Sequence, residues 1–274
     1  MTAADAPVHG TGYPSIAVIT GADSGIGKAT AVTLAERGLD VGITFHRDED
    51  GARRTAEEVR ALGRTCAVRR HDLTDPVTAA GVVDELADEL GGIGVLVNNA
   101  GTGSGRSLLE MEYDEWRSVL SVDLDGAFLC AQRAARRMTS QGGGGRIVNV
   151  TSVHEEYPRV GAGPYCAAKG GLKMLARVLA LELSPYGITV NTVAPGEIAT
   201  PMTGQEDQPP RPDTRPGYPL GRPGDAREVA AAIAFLTDPS ASYVTGASLF
   251  VDGGLVLMGP QAAGALDSAA WREG

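Results

Sequence analysis

Tyr165 and Lys169 stand four positions apart in the segment Tyr165-Cys166-Ala167-Ala168-Lys169. On a helix that spacing puts both side chains on one face, one turn from each other. A phenol with an ordinary pKa near ~10 is a poor base at neutral pH. A lysine cation beside it favours the phenolate, and the pair then suits general acid–base work. The bland alternative is a solvated helix face. Ser152 lies thirteen positions before Tyr165, directly after an apolar run at 147–151. A serine hydroxyl there can donate to a carbonyl and hold it in place. It can equally cap a turn.

A second constellation follows the first apolar run. Thr20-Gly21-Ala22-Asp23-Ser24-Gly25-Ile26-Gly27 leads from a strand-like segment, 16–20, into a helix-like one. Glycines permit a tight turn and close backbone approach, so that helix N-terminal amides face a pyrophosphate. The spacing is G-x-x-x-G-x-G, and any tight strand-to-helix turn wants glycine. Its place after the first strand of a βαβ unit favours phosphate binding. An acidic residue ending the second strand would take the adenosine ribose and disfavour a 2′-phosphate. The chain reads Thr44-Phe45-His46-Arg47 there, with Asp40 at the wrong end of the run. Phe45, His46 and Arg47 therefore point to NADP(H) as the favoured cofactor, with NAD(H) also accepted.

The elements that must position these residues are legible from apolar runs. Val- and Ile-rich segments recur at 16–20, 41–45, 65–68, 95–98, 147–151, 189–193 and 249–252. They are near-continuous instead of alternating, as strands buried on both faces should be. Helical stretches lie between them at 28–37, 49–62, 113–138 and 167–183, and Asp75-Pro76 opens another as N-cap and first helical residue. Strand–helix alternation implies right-handed crossovers. The expected fold is α/β, a single doubly wound Rossmann-type domain with a seven-stranded, mainly parallel sheet and helices on both faces. Residues 14–259 form that domain, 1–13 read as a flexible lead-in, and 260–274 as a C-terminal tail. Seven prolines fall between 201 and 223. A long loop at the carboxyl edge of the sheet reads as a substrate lid, a disordered excursion being the alternative.

Composition narrows the partners. The 274 residues are 43% hydrophobic, enough for a packed core, and carry a formal charge of −10. An acidic surface repels phosphate backbones and anionic lipid, so neither nucleic acid nor membrane is expected. No apolar run is long enough to span a bilayer, and the first residues lack a signal-peptide pattern. Cys66, Cys130 and Cys166 are scattered and odd in number, which reads as reduced core thiols of a cytoplasmic protein. His46 and His71 lack ligand-like spacing, so no metal is expected.

Taken together, the glycine turn, Asn98-Asn99-Ala100-Gly101, Ser152, Tyr165-x-x-x-Lys169 and Pro195-Gly196 resemble the short-chain dehydrogenase/reductase family. The motifs occur in family order over residues 14–254. The resemblance implies that Gly21, Asp23, Ser24, Gly25, Ile26 and Gly27 cradle the dinucleotide. Asp72 and Leu73 would approach its adenine, and Asn99, Ala100 and Gly101 would support the sheet beside it. Pro195, Gly196, Ile198 and Thr200 would flank the nicotinamide. Tyr165 would be the acid/base, Ser152 the orienter, and Lys169 both the ribose ligand and the cation beside the phenol. The family's fourth catalytic residue is an asparagine whose main-chain carbonyl holds a water. Asp123 stands in its place, and a backbone role would survive the exchange. Ser152-Val153-His154-Glu155 further resembles the glucose 1-dehydrogenase branch, making His154 a candidate substrate ligand with Ser152 and Tyr165. Bracing of the lid or of a subunit contact is the alternative for His154 and Glu155.

The expected activity is reversible hydride transfer between nicotinamide and a small-molecule ketone or secondary alcohol. A glucose or polyol 1-dehydrogenase is the alternative within that chemistry, and a non-catalytic dinucleotide-binding sensor the alternative outside it. Phe128, Leu129, Met174, Leu175, Val178 and Leu179 extend the apolar surface of two helices beyond one stripe. With the family resemblance, they imply a homotetramer, ordinary packing on the sheet being the other reading.

Overall fold

The computed structural model describes residue 13 and residues 15–205 and 218–259. Its strands are β1 (Ile16–Ile19), β2 (Asp40–Phe45), β3 (Cys66–Arg70), β4 (Val95–Asn98), β5 (Gly145–Val150) and β6 (Ile188–Pro195). β7 (Ile198–Ala199), β8 (Gly224–Asp225) and β9 (Ser248–Val251) follow. Seven of them form one sheet in the order β3-β2-β1-β4-β5-β6-β9, every pair parallel. This is the Rossmann-type sheet that the apolar runs imply. Strand order reverses between β1 and β4, which opens a crevice at their carboxyl ends.

Both faces are covered. α1 (Gly25–Glu36), α2 (Glu49–Ala61) and α8 (Ala226–Thr237) pack on one side, where Leu34, Val59 and Ile233 meet Ile19 and Val97. α4 (Gly81–Leu90), α6 (Ala127–Gln141) and α7 (Gly163–Leu183) pack on the other, where Leu86, Met138 and Ala176 meet Val18 and Leu96. Successive β1 residues thus feed opposite cores. Burying a Leu or Ile side chain this fully contributes about 1.5–3 kcal/mol, so continuous apolar strands outcompete alternating ones here.

Local signals set the helix starts. Asp48 accepts from the Gly51 amide at 2.9 Å to cap α2, and Asp75 caps α3 (Pro76–Ala79) by accepting from Thr78. α3 lasts a single turn before the chain restarts as α4. The expected unbroken helix over 113–138 is also divided. α5 (Tyr113–Leu120) passes into a π-helical turn, Ser121–Gly126, and only then into α6. Such turns arise when one residue too many is fitted into a helix, and they cluster at functional sites.

The lead-in over 1–12, the tail 260–274 and the middle of the proline segment, 206–217, lie outside the described residues. Tyr13 itself is anchored: its hydroxyl donates to the Thr237 carbonyl at 2.6 Å, and the Arg146 guanidinium sits 5.0 Å above its ring. Of the six apolar residues assigned to subunit contact, Phe128, Met174 and Val178 face outward, whereas Leu179 is buried and Leu175 packs on the core. Among the described residues no helix is long and apolar enough to cross a membrane, and no cluster of three or more potential metal ligands occurs.

Candidate active site

The ends of β1 and β4 are tied before any ligand is considered. The Thr20 hydroxyl accepts from the amides of Asn99 and Ala100, each at 3.0 Å. The Asn99 side chain returns bonds to the carbonyls of Thr20 and Gly21 at 3.0 and 2.7 Å. The turn that follows has no room for side chains. A Cβ on Gly27 would stand 2.1 Å from the Gly21 carbonyl oxygen and 2.6 Å from Asn99 Nδ2. Gly21 and Gly25 both take positive φ, 63° and 51°. No side chain caps the N-terminus of α1, and no acidic residue occupies its first turn. Uncapped amides with a favourable dipole make that end a receptor for phosphate.

Behind the turn lies a polar support absent from the sequence reading. The Gly21 amide donates to Thr44 Oγ1 at 3.1 Å, and that oxygen lies 3.3 Å from His71 Nδ1. His71 Nε2 is 3.9 Å from the Cys130 sulfur. Burial pushes the His71 imidazole down to about 4, so it is neutral at physiological pH.

At the adenosine end, Phe45 closes β2 and Arg47 lines the cleft. His46, expected to meet a phosphate, instead directs Nε2 at Asp72, 3.4 Å away. Arg70 reaches the same carboxylate at 3.6 Å and the His46 carbonyl at 3.3 Å. Asp72 is held below the usual carboxylate range by the Thr74 hydroxyl and amide, with a smaller contribution from His46.

At the other end, β5 delivers Thr151 and Ser152 to the sheet edge. Ser152 Oγ accepts from the His154 amide at 3.2 Å and so caps the short helical turn Val153–Glu155. Capping uses the oxygen as acceptor and leaves the hydroxyl proton available to a ligand, so both roles assigned to this serine are compatible. Tyr165 lies in the first turn of α7, with Lys169 one turn further and its Nζ 5.4 Å from the Tyr165 ring centre. Lys169 donates to the Val150 carbonyl at 3.2 Å and pairs with Asp123 Oδ2 at 3.3 Å. Asp123 Oδ1 accepts from the Thr102 amide at 2.7 Å. It is the Asp123 side chain that reaches the lysine. Burial pushes the Asp123 carboxyl above its ordinary value, against the pull of Lys169 and Thr102. Burial alone would depress the Lys169 ammonium, but Asp123 and Tyr165 outweigh it and hold the ammonium above the usual lysine value.

His154 stands beside Tyr165 with ring centres 6.2 Å apart. Its Nδ1 lies 2.7 Å from the Tyr157 carbonyl, which can only accept. The proton is thereby assigned to Nδ1, and Nε2 is left as an acceptor. Glu155 is a brace: it accepts from Ser248 Oγ at 2.6 Å and pairs with Lys173 at 3.1 Å, while Lys173 also pairs with Glu156.

A cleft of about 570 Å³ joins these parts. Its wall includes every residue assigned to the dinucleotide except Gly27, which lies behind the turn, together with Ser152. Asp123 and His154 do not line it; Asp123 meets the wall through Lys169 and His154 through Tyr165. Thr44, His71, Thr102, Ser118, Val122 and Met202 also line the cleft, and none of them was assigned to a ligand from the sequence. Ser118 and Val122 share a helix face, and that four-residue spacing was the only available signal. Across the cleft, Thr200 closes on the glycine turn, within 3.2 Å of where a Gly25 Cβ would lie. The proline segment leaves and returns at one carboxylate: Glu197 accepts from Gln205 at 2.6 Å and from the Tyr218 hydroxyl at 2.5 Å. A glycine cradle, an uncapped helix end and a Ser–Tyr–Lys cluster along one cleft fit a nicotinamide dinucleotide.

Comparison with known proteins places the chain among short-chain oxidoreductases. The family model described as enoyl-(acyl carrier protein) reductase matches residues 21–256. The uncharacterised oxidoreductase YohF of Escherichia coli is 49% identical over 246 residues, covering 90% of this chain and 97% of that protein. Glucose 1-dehydrogenase 2 of Bacillus subtilis is 36% identical, covering 88% and 94%. Among solved structures, acetoin dehydrogenase YohF of Salmonella typhimurium superposes with a TM-score of 0.87 at 46% identity, covering 91% and 98%. Acetoin dehydrogenase of Enterobacter cloacae gives 0.86 at 48% identity, covering 92% and 99%.

Proposed function

This chain belongs to the short-chain dehydrogenase/reductase family and is an NAD(P)-dependent oxidoreductase, and from that premise we propose that it reduces small ketones bearing a vicinal oxygen, of the acetoin and diacetyl type, and oxidises the corresponding alcohols. The observation that carries the chemistry is the convergence of Ser152, Tyr165 and Lys169 beside the glycine turn. The substrate class is supported by the likeness to two acetoin dehydrogenases at 46% and 48% identity.

When bound, the nicotinamide supplies or accepts the hydride. Ser152 donates its hydroxyl proton in a hydrogen bond to the substrate carbonyl and fixes its orientation. Tyr165 gives its proton to that oxygen as the new C–H bond forms, and takes it back when the alcohol is oxidised. Lys169 holds positive charge beside the phenol, and Asp123 acts behind Lys169. In its neutral form His154 presents Nε2 as an acceptor for a vicinal hydroxyl of the substrate, as in a hydroxyketone or diol. We keep NADP(H) as the favoured cofactor through Arg47, with NAD(H) accepted. His46 is committed to Asp72, so the preference rests on Arg47 alone. The outward Phe128, Met174 and Val178 support a homotetramer, and the absence of disulfides among the three free cysteines fits a cytoplasmic setting.

A panel of hydroxyketones, diketones, simple ketones and polyols, run with both cofactors, tests the proposal. Steady nicotinamide consumption with vicinal dioxygen substrates is expected. Tyr165→Phe should abolish turnover yet retain the fluorescence change on nicotinamide binding. Turnover confined to glucose or polyols would favour the sugar-dehydrogenase reading, supported by 36% identity to glucose 1-dehydrogenase 2. Binding without consumption would favour a sensor.

A further inference from the structure

The pair formed by Asp123 and Lys169 differs from the arrangement that the family resemblance implies. There the fourth residue acts through its main chain, whereas here a carboxylate oxygen lies 3.3 Å from the ammonium. Both side chains are almost wholly shielded, 4% exposed for Lys169 and 0% for Asp123. Charges in such surroundings escape the screening that weakens surface pairs. Three features build the contact. The π-helical turn Ser121–Gly126 carries Asp123, the Thr102 amide anchors its other oxygen at 2.7 Å, and Gly101 leaves the space. A Cβ on Gly101 would lie 3.3 Å from Asp123 Oδ2 and 3.4 Å from Lys169 Nζ.

We propose that Asp123 is a positioning residue that offsets the Lys169 charge, so that alcohol oxidation requires more alkaline solution than it would with an uncharged residue at this place, while carbonyl reduction persists to higher pH. The inference rests on Tyr165 as acid/base. Oxidation needs the phenolate and reduction needs the phenol, and a lysine cation favours the former. Lys169 Nζ sits 5.4 Å from the Tyr165 ring centre and 3.3 Å from the opposing carboxylate. Other charged groups packed around this point are already occupied. Lys173 on α7 pairs with Glu155 and Glu156, Arg117 on α5 with Asp125, and His46 with Asp72. His154 meets Tyr165 edge-on, and His71 is neutral between Thr44 and Cys130.

The test is the pH dependence of kcat/KM for alcohol oxidation and ketone reduction by the full chain. In Asp123→Asn, which preserves the acceptor for Thr102, the oxidation midpoint should move by about one pH unit or more toward acid. Reduction should lose its alkaline end in parallel. Gly101→Ala, which wedges a methyl between the partners without changing charge, should move it the same way by less, and serves if Asp123→Asn does not fold. Asp125→Asn on the same turn should leave the midpoint in place. An unmoved midpoint in the folded Asp123→Asn protein, or in Gly101→Ala when the former does not fold, overturns the proposal. An equal shift in Asp125→Asn overturns it too. Turnover surviving in Tyr165→Phe would instead refute the acid/base assignment beneath it.

Discussion

His154 meets Tyr165 edge-to-face, ring centres 6.2 Å apart and planes at 73°, while its Nδ1 proton is tied to the Tyr157 carbonyl. Aromatic contacts of this geometry contribute about 0.5–1.5 kcal/mol. His154→Ala is therefore expected to lower kcat by roughly three- to tenfold. His154→Phe keeps the ring but not the acceptor. It should restore kcat with simple ketones while leaving KM raised for hydroxyketones. Equal loss in both variants with simple ketones would show that the ring contact has no part in holding the phenol.

Ser152 caps a turn through the same hydroxyl that we propose holds the substrate carbonyl. Its removal should separate the two effects by size. Loss of a cap costs about 1 kcal/mol of stability, whereas loss of a preorganised donor costs about tenfold to a thousandfold in rate. Ser152→Ala should thus melt within a few degrees of the parent (~4 °C or less) and lose most of its turnover. A variant that unfolds readily yet retains kcat/KM would reduce Ser152 to a cap.

His71 makes the fold sensitive to acid. Its native pKa is near 4 against 6.5 for the free side chain, because burial excludes the charged form. Between those values the unfolded chain binds a proton that the folded chain refuses. Stability contributed by this group is therefore complete above pH 6.5 and falls as pH drops toward 4. The loss amounts to about 3 kcal/mol over the window, at 1.36 kcal/mol per unit. Urea titrations at several pH values should show this slope in the parent and a flatter one in His71→Phe. Parallel slopes would remove His71 from the account.

Gly27 has the tightest surroundings of the cradle. Gly27→Ala would force a methyl against the Gly21 carbonyl and the Asn99 amide, whose bond to each other holds β1 to β4. Overpacking costs about 1–3 kcal/mol, and the damage falls on the phosphate-binding turn. Dinucleotide affinity should drop at least tenfold, read by nicotinamide fluorescence, with the far-ultraviolet dichroism retained. Unchanged affinity would refute the cradle.

Much of the fold could be read in advance because its strands are buried on both faces. Val18 and Leu96 feed one core while Ile19 and Val97 feed the other, so each strand is apolar throughout and separable from its amphipathic neighbours. The glycine turn and the Ser152, Tyr165 and Lys169 cluster were legible because short-range spacing defines them. What escaped was geometry between distant segments. His46 turned to Asp72, a partner on the adjoining strand connection, and no local pattern in Thr44-Phe45-His46-Arg47 records that choice. The π-helical turn escaped as well, since one inserted residue leaves ordinary helical periodicity on both sides. Asp123 could be matched to the family asparagine, but its side-chain contact with Lys169 joins segments far apart in the sequence.

Glu197 joins Gln205 to Tyr218, so the described residues on either side of 206–217 meet at one carboxylate. Closing a loop between fixed ends costs only about 0.6 kcal/mol per doubling of its length. A change in the number of residues between Gln205 and Tyr218 is therefore thermodynamically mild, and Glu197 is the fixed point against which it would be made.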